Sequence, residues 1–188
     1  MKDKFELINR IIEHKQYSSY LELGLGEARE TFDRINCFYR KGVDNNPRTR
    51  PDFLGTTDDF FKQNTRTFDV IYIDAFHEYS QVNKDFENAV KVLNPDGIIF
   101  MHDVGPENLD NTKQTASGTA YISFIEIRGN PNFNAFSYIF PSNDVLGIVK
   151  VEPNKNILVY DRKDFDYYFN NKSIILQGKS IDDILALA

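Results

Sequence analysis

Apolar positions along the chain follow two periods, one helical and one extended, and they take turns. Phe5, Ile8, Ile11 and Ile12 recur at helical spacing with Glu6, Asn9 and Arg10 on the other side, which predicts a short amphipathic helix covering the start of a sheet. "YLELGLG" reads as a first strand running into a glycine loop, and "EARETFDRI" as the helix after it. "CFYRKGVD" predicts a second strand that ends at Asp44 and buries Cys37, "NNPRTRP" a turn, and Phe53-Leu54 a short third strand. "FDVIYID" is a continuous apolar run of strand length, followed by Tyr79, Val82, Phe86, Val90 and Leu93 on one helical face. Asn94-Pro95-Asp96-Gly97 stops that helix, and "GIIFMHD" is the next strand, apolar throughout as burial on both faces of a parallel sheet requires.

Further along, "FNAFSYIF" and "DVLGIVKV" flank the turn Pro141-Ser142-Asn143-Asp144, which predicts an antiparallel hairpin at the far side of the sheet. "YDRKDFDYYFNNKSIILQ" reads as aromatic but irregular, and "KSIDDILALA" as a helix capped by Ser180. Its apolar face of Ile181, Ile184 and Leu185 suits packing on the chain's own domain or a contact between copies in a homo-oligomer. Strands alternating with helices imply an α/β fold: a mostly parallel twisted sheet, helices on both faces and a C-terminal antiparallel hairpin. A chain of 188 residues fits one domain, 1–188, with 152–188 as a C-terminal extension packed on it.

Composition narrows the partners. Acidic residues outnumber basic ones, 28 to 22, and the net charge of −6 repels phosphate backbones, so nucleic acid is not an expected partner. No apolar run approaches the roughly 18 residues of a membrane span, and the N-terminus lacks the apolar core of a secretory signal; the expected location is cytoplasmic, away from any membrane. One cysteine excludes an internal disulfide.

The candidate chemistry lies where apolar runs stop at carboxylates. In a strand-helix-strand unit both strands end on one edge, about 4.8 Å apart, so Asp74 and Asp103 should be neighbours. Two carboxylates about 5 Å apart repel by roughly 3 kcal/mol at an effective dielectric of 20. A shared proton, a basic side chain or a divalent cation would compensate them; alternatively Asp74 caps the next helix and Asp103 accepts loop amides. "LELGLGEAR" supplies Glu22, Gly24 and Gly26, and Asp44 ends the next strand about twenty residues later, where a carboxylate can accept both ribose hydroxyls of an adenosine cofactor. Arg29 stands at the third glycine of the dinucleotide fingerprint, which counts against nicotinamide or flavin dinucleotides. His77, three residues after Asp74, suits a general base at neutral pH.

"YLELGLG", "GVDNNP", "TTDDFF" and the block "YIDAFHEYSQVNKDFENAVKVLNPDGIIFMHDV" together resemble the class I S-adenosylmethionine-dependent methyltransferases. The closest likeness is to the small bacterial enzymes related to metal-dependent sugar O-methyltransferases. The resemblance implies the Rossmann-like methyltransferase fold, with Glu22, Gly24 and Gly26 near the methionine part of the cofactor, Asp44 on the ribose, Asp58 on the adenine with Phe60 packing beside it, and Asp74 also among the cofactor-binding residues. It implies a divalent metal, magnesium or manganese, on Asp74, His102 and Asp103, and O-methylation of a small hydroxylated substrate such as a sugar or glycan precursor. Asp74 and His77 would serve catalysis, and Tyr79 and Tyr121 would wall the substrate site. "SGTAYISFIEIR" departs from the relatives' helix, with Thr119, Tyr121 and Ile122 in place of Asp, Trp and Lys. Two other readings stay open: a catalytically silent nucleoside-binding module of the same fold, and a nucleotide-dependent oxidoreductase.

Overall fold

The computed structural model describes residues 1–187. Among them the sheet has seven strands: β1 (Ser19–Leu23), β2 (Tyr39–Asp44), β3 (Phe53–Leu54), β4 (Phe68–Ile73), β5 (Leu93–Met101), β6 (Asn134–Ile139) and β7 (Val145–Lys150), in the order β3-β2-β1-β4-β5-β7-β6. β1 to β5 pair in parallel, and β7 enters antiparallel between β5 and β6. This is the mostly parallel sheet with a C-terminal antiparallel hairpin that the sequence predicts. Strand order reverses between β1 and β4, the point at which open α/β sheets bind ligands outside their carboxyl ends.

Side-chain alternation along the strands feeds two cores. Leu21, Leu23, Ile71, Ile73, Ile99 and Met101 face one side, while Tyr20, Val70, Tyr72, Ile98 and Phe100 face the other. α1 (Lys4–Lys15) covers the second side with Leu7, Ile8, Ile11 and Ile12, each contributing about 1.5–3 kcal/mol of burial. α6 (Ile181–Leu187) packs there too through buried Ile184, its first turn capped by Ser180, whose Oγ accepts from the Asp183 amide. Ala188, last residue of that predicted helix, lies outside the described residues. The first side is covered by α2 (Thr57–Gln63), α3 (Tyr79–Lys91), α4 (Ala120–Gly129) and α5 (Phe165–Leu176).

Four local expectations are corrected. No α-helix follows β1: Arg29 turns left-handed at φ 50°, and only a short 3₁₀ turn, Phe32–Arg34, forms before β2. Arg29 is fixed instead by bonds from its guanidinium to Thr49 O and Arg50 O, both 2.7 Å, and by an ion pair with Asp33. Cys37 lies ahead of β2 and is half-buried, not a core strand residue. α3 ends at Lys91, and Asn94–Gly97 belongs to β5 as a bulge, where β5 advances five residues (Leu93 to Ile98) while β4 advances two (Phe68 to Val70). The tail expected to be irregular contains α5, tied to α4 by the buried Arg128, whose guanidinium donates to Ile175 O at 3.1 Å and Asn156 O at 3.0 Å. Among the described residues no helix is long and apolar enough to cross a membrane.

Asp85 sits fully buried on α3, with Gln81 donating to Oδ1 at 3.0 Å and no partner for Oδ2. Burial raises its pKa to about 6 against the hydrogen bonds that lower it. A carboxyl whose folded pKa is raised stabilises the fold most below its unfolded pKa, and that contribution is lost as pH rises from about 4 to about 6. Asp85→Asn is therefore expected to be more stable than the parent at pH 7.5, by about 2–3 kcal/mol, with the gap closing by pH 4. Urea unfolding at the two pH values measures it, and a gap that does not change with pH refutes the assignment.

Candidate functional site

Register places the site. Leu23 pairs with Ile73 and Ile73 with Met101, so the residues that follow, Gly24, Asp74 and His102, leave the sheet abreast. The ladder continues one step beyond the strands: Gly24 N donates to Val43 O, Asp74 N to Leu23 O and His102 N to Ile73 O, all at 2.8–3.0 Å. Gly24 has φ 84°, and a Cβ there would lie 2.2 Å from Asp74 O, so only glycine lets β1 turn across the end of β4.

Asp74 and Asp103 do come together, and two imidazoles lie between them. His102 Nδ1 is 2.9 Å from Asp74 Oδ1 and 3.2 Å from Asp103 Oδ2; His77 Nε2 is 3.4 Å from Asp74 Oδ1 and its Nδ1 is 3.1 Å from Asp103 Oδ2. Asp103 reaches this position with φ 59°, in the left-handed region. Beyond the ring of His102, Asp144 Oδ2 lies 3.4 Å from Nε2 and Lys4 Nζ 2.8 Å from it. Asp74 also accepts from the buried Tyr72 hydroxyl at 2.8 Å.

The electrostatics follow from this packing. Burial would raise the Asp74 pKa, but the His102 and His77 rings and Lys4 outweigh it and hold the carboxyl far below its usual range. His77 is pushed up to about 9, chiefly by its bond to Asp74, with burial working the other way. Burial lowers the His102 pKa, yet Asp74, Asp103 and Asp144 outweigh it and raise it well above the ordinary value. The Lys4 contact opposes them, because a hydrogen bond between the two nitrogens needs one as acceptor and leaves the pair with a single positive charge. Glu22, also buried, is raised to about 8 by desolvation, its Tyr20 hydrogen bond working the other way.

Asp74, His77 and Lys4 of this cluster also line a cleft of about 810 Å³ that runs along the carboxyl ends of β1, β2 and β4, whereas His102, Asp103 and Asp144 lie outside its lining. Glu22, Gly24, Gly26, Asp44, Asp58 and Asp74, all predicted from sequence, line it. Asp44 accepts Leu25 N at 2.9 Å through one oxygen and Asn46 N at 2.8 Å through the other, which leaves a lone pair free on each. Asp58, in the first turn of α2, pairs with Lys84 and accepts from Gln81 at 3.3 Å. Lys84 leads the effects that keep its pKa low.

Three aromatic expectations are corrected. Phe60 is 3% exposed and stacks edge-on with Phe53 and Phe61 in the core, away from the cleft. Tyr121 is buried against Phe165 and Tyr168. The Tyr79 hydroxyl donates to Glu126 on α4 instead of facing the cleft. Thr119 supports the fold locally, since its Oγ1 accepts the first α3 amide, from Tyr79, at 2.7 Å, and its own N–H donates to His77 O at 2.8 Å. With Ala116 O 2.9 Å from His77 Nδ1, the loop after β5 thus holds His77 in place.

Lys4 and Asp144 are beyond the reach of local motifs, although topology carries a signal for both. A helix that precedes β1 and runs antiparallel to it presents its N-terminus at the carboxyl edge, and so does the start of an antiparallel strand beside β5.

Gly24 and Gly26 both have positive φ, but a Cβ at Gly26 would meet nothing within 4 Å. Gly24→Ala is therefore expected to cost about 2 kcal/mol or more, and Gly26→Ala only about 1 kcal/mol. Equal losses in urea unfolding would contradict the tight crossing of β1 over β4.

A family model described as a methyltransferase domain matches residues 8–104. No curated protein matches the chain. Among solved structures, the O-methyltransferase TomG from Streptomyces achromogenes, involved in tomaymycin synthesis and in complex with SAM, is 12% identical with a TM-score of 0.58, covering 79% of each chain. An O-methyltransferase from Bacillus cereus in complex with SAH is 16% identical with a TM-score of 0.54, over 78% of this chain and 80% of that one. The SAH-bound Podospora anserina methyltransferase PaMTH1 is 14% identical with a TM-score of 0.60, over 81% and 80%. These likenesses establish a shared fold, that of class I S-adenosylmethionine-dependent enzymes. With 97 of its 188 residues matched by the family model, the chain belongs to the methyltransferase-domain family.

Proposed function

We propose that the cleft binds S-adenosylmethionine and that the chain O-methylates a small hydroxylated molecule, such as a sugar or glycan precursor, with help from a divalent cation. The observation that carries the reading is the row of Asp58, Asp44, Glu22 and Asp74 along a single cleft. Asp58 is assigned to the adenine amino group, Asp44 to the two ribose hydroxyls, and Glu22, Gly24, Gly26 and Asp74 to the methionine portion. With Glu22 largely protonated at neutral pH and Asp58 paired with Lys84, the negative charge on this wall comes chiefly from Asp44 and Asp74, which suits a cationic sulfonium better than a phosphate-rich cofactor. The oxidoreductase reading loses further ground because the glycine loop leads into no α-helix, so the helix N-terminus that holds a dinucleotide pyrophosphate is missing.

When bound, S-adenosylmethionine supplies a methyl group on positively charged sulfur, and the remaining work is alignment of an acceptor oxygen and removal of its proton. Asp74 and His77 stand where the cleft meets the acidic cluster and are the proposed groups for that work. To accept a proton, His77 must first give up the one that Asp74 and Asp103 hold on it. The loop at 105–118, rich in Asn, Asp, Thr, Gln and Ser, continues into the His77 support and offers hydrogen bonds of the kind a polyhydroxylated acceptor uses.

Asp74, His102 and Asp103 fit a cation: one ligand atom from each lies within 4.8 Å of the others. The contacts at 2.9 and 3.2 Å match the spacing of adjacent ligands around an ion bound at about 2.1 Å. An imidazole in the set favours manganese over magnesium. A divalent ion there would lower the pKa of an acceptor hydroxyl and relieve the carboxylates of their protonated partners.

Calorimetry with S-adenosylhomocysteine is expected to show one saturable site, weakened tenfold or more by Asp44→Ala; absence of binding to folded parent protein would end the proposal. With radiolabelled methyl donor and a panel of monosaccharides and nucleotide sugars, chelation is expected to lower methyl transfer at least tenfold and Mn²⁺ to restore it. Full activity after chelation would remove the cation from the mechanism, and a silent panel would remove the sugar class.

A further inference from the structure

Resting on the cation-assisted reading, we infer that Asp144 and Lys4 act as opposed positioning residues that decide whether His102 serves as a metal ligand. His102 has its Nδ1 toward Asp74, at 2.9 Å, and Asp103, at 3.2 Å, which is the face on which an ion would sit. Ligation needs the Nδ1 lone pair, so the ring must present Nδ1 as its unprotonated nitrogen. Ligation then fixes the other nitrogen as the proton-bearing one, and a metal-binding histidine holds that N–H on a carboxylate, a carbonyl or water. The groups close to Nε2 are Asp144 Oδ2, at 3.4 Å, and Lys4 Nζ, at 2.8 Å.

The two ask opposite things of the same nitrogen. Asp144 can only accept from Nε2–H, which leaves the Nδ1 lone pair available to an ion. The Lys4 ammonium can only donate, so Nε2 must accept and the proton stays on Nδ1, facing Asp74. Lys4 and Asp144 are themselves 4.0 Å apart, so the lysine has a resting partner within reach once it releases the ring. Both residues are delivered by elements outside the strand ends that carry the ligands: Lys4 begins α1, and Asp144 closes the hairpin turn ahead of β7, held there as Val145 N donates to its Oδ1 at 2.8 Å. The ring itself is packed edge-on against Tyr72, with centroids 6.2 Å apart, which limits its freedom to turn its nitrogens around.

The test is Mn²⁺ affinity of the full chain, followed by electron paramagnetic resonance of the free ion, in a double-mutant cycle with His102→Gln. Asp144→Asn is expected to weaken Mn²⁺ binding about tenfold or more, in the range seen when the supporting partner of a ligand is lost. Lys4→Met should tighten it several-fold, a gain that a damaged fold would not produce. In the His102→Gln background both effects should shrink below twofold, because each residue acts through the ring. Effects that persist undiminished there would mean that the two charges act only as a field on the ion, and would overturn the inference. So would an unchanged affinity in either single variant. Parent protein that takes up no Mn²⁺ at millimolar concentration would instead bring down the cation-assisted reading on which the inference stands.

Discussion

The parallel pairing of β1, β4 and β5 in one register is the constraint on which the molecule depends. Because Leu23, Ile73 and Met101 are abreast, the chain leaves the sheet three times at the same level, with Gly24, Asp74 and His102. A slip of one residue between β4 and β5 would turn Asp74 or His102 to the opposite face of the sheet and separate the acidic pair. The apolar alternation that feeds two cores makes such a slip costly, since every buried side chain of the strand would exchange faces. Precision at the polar edge is thus a product of packing in the apolar interior.

Bringing carboxylates together creates a second constraint, and the fold answers it with side chains. His77 and His102 lie between Asp74 and Asp103, and Lys4 stands behind the second ring. Protonated imidazoles are an exchangeable form of compensation. The Lys4 contact lets the second ring share that load with an ammonium from outside the strand ends. The loop after β5 takes part from a distance: by capping α3 through Thr119 and meeting His77 at Ala116, it links the support of the site to the segment whose sequence departs from the relatives' helix.

What could be read in the sequence was whatever a local pattern encodes. Continuous apolar runs point to β4 and β5, helical spacing to α1 and α3, and the Pro141–Asp144 turn to the hairpin; strand ends then lead to Asp44, Asp74 and Asp103. The failures have physical causes. Helical composition after Gly26 is overridden by Arg29, whose left-handed turn is fixed by carbonyls twenty residues away. α5 is hidden from periodicity because its apolar residues do not share one face, with Tyr168, Ile175 and Leu176 buried while Phe169 and Ile174 are exposed. Phe60 and Tyr121 are close to the cleft in sequence, yet the helices that carry them turn them into the core. Lys4 lies 98 residues from His102, a separation at which only the three-dimensional arrangement of strands reveals the contact.

The reversed direction of β7 has a bearing on how such a site can change over generations. Residues at the ends of parallel strands are locked to the sheet by its register, so their positions leave little room for adjustment. A turn that opens an antiparallel strand is different: residues can be gained or lost between Phe140 and Asp144 while the ladder from Val145 onward keeps its pairing. The hairpin thus offers evolution an adjustable finger against a fixed palm, able to lengthen, shorten or change its tip while the scaffold beneath stays the same.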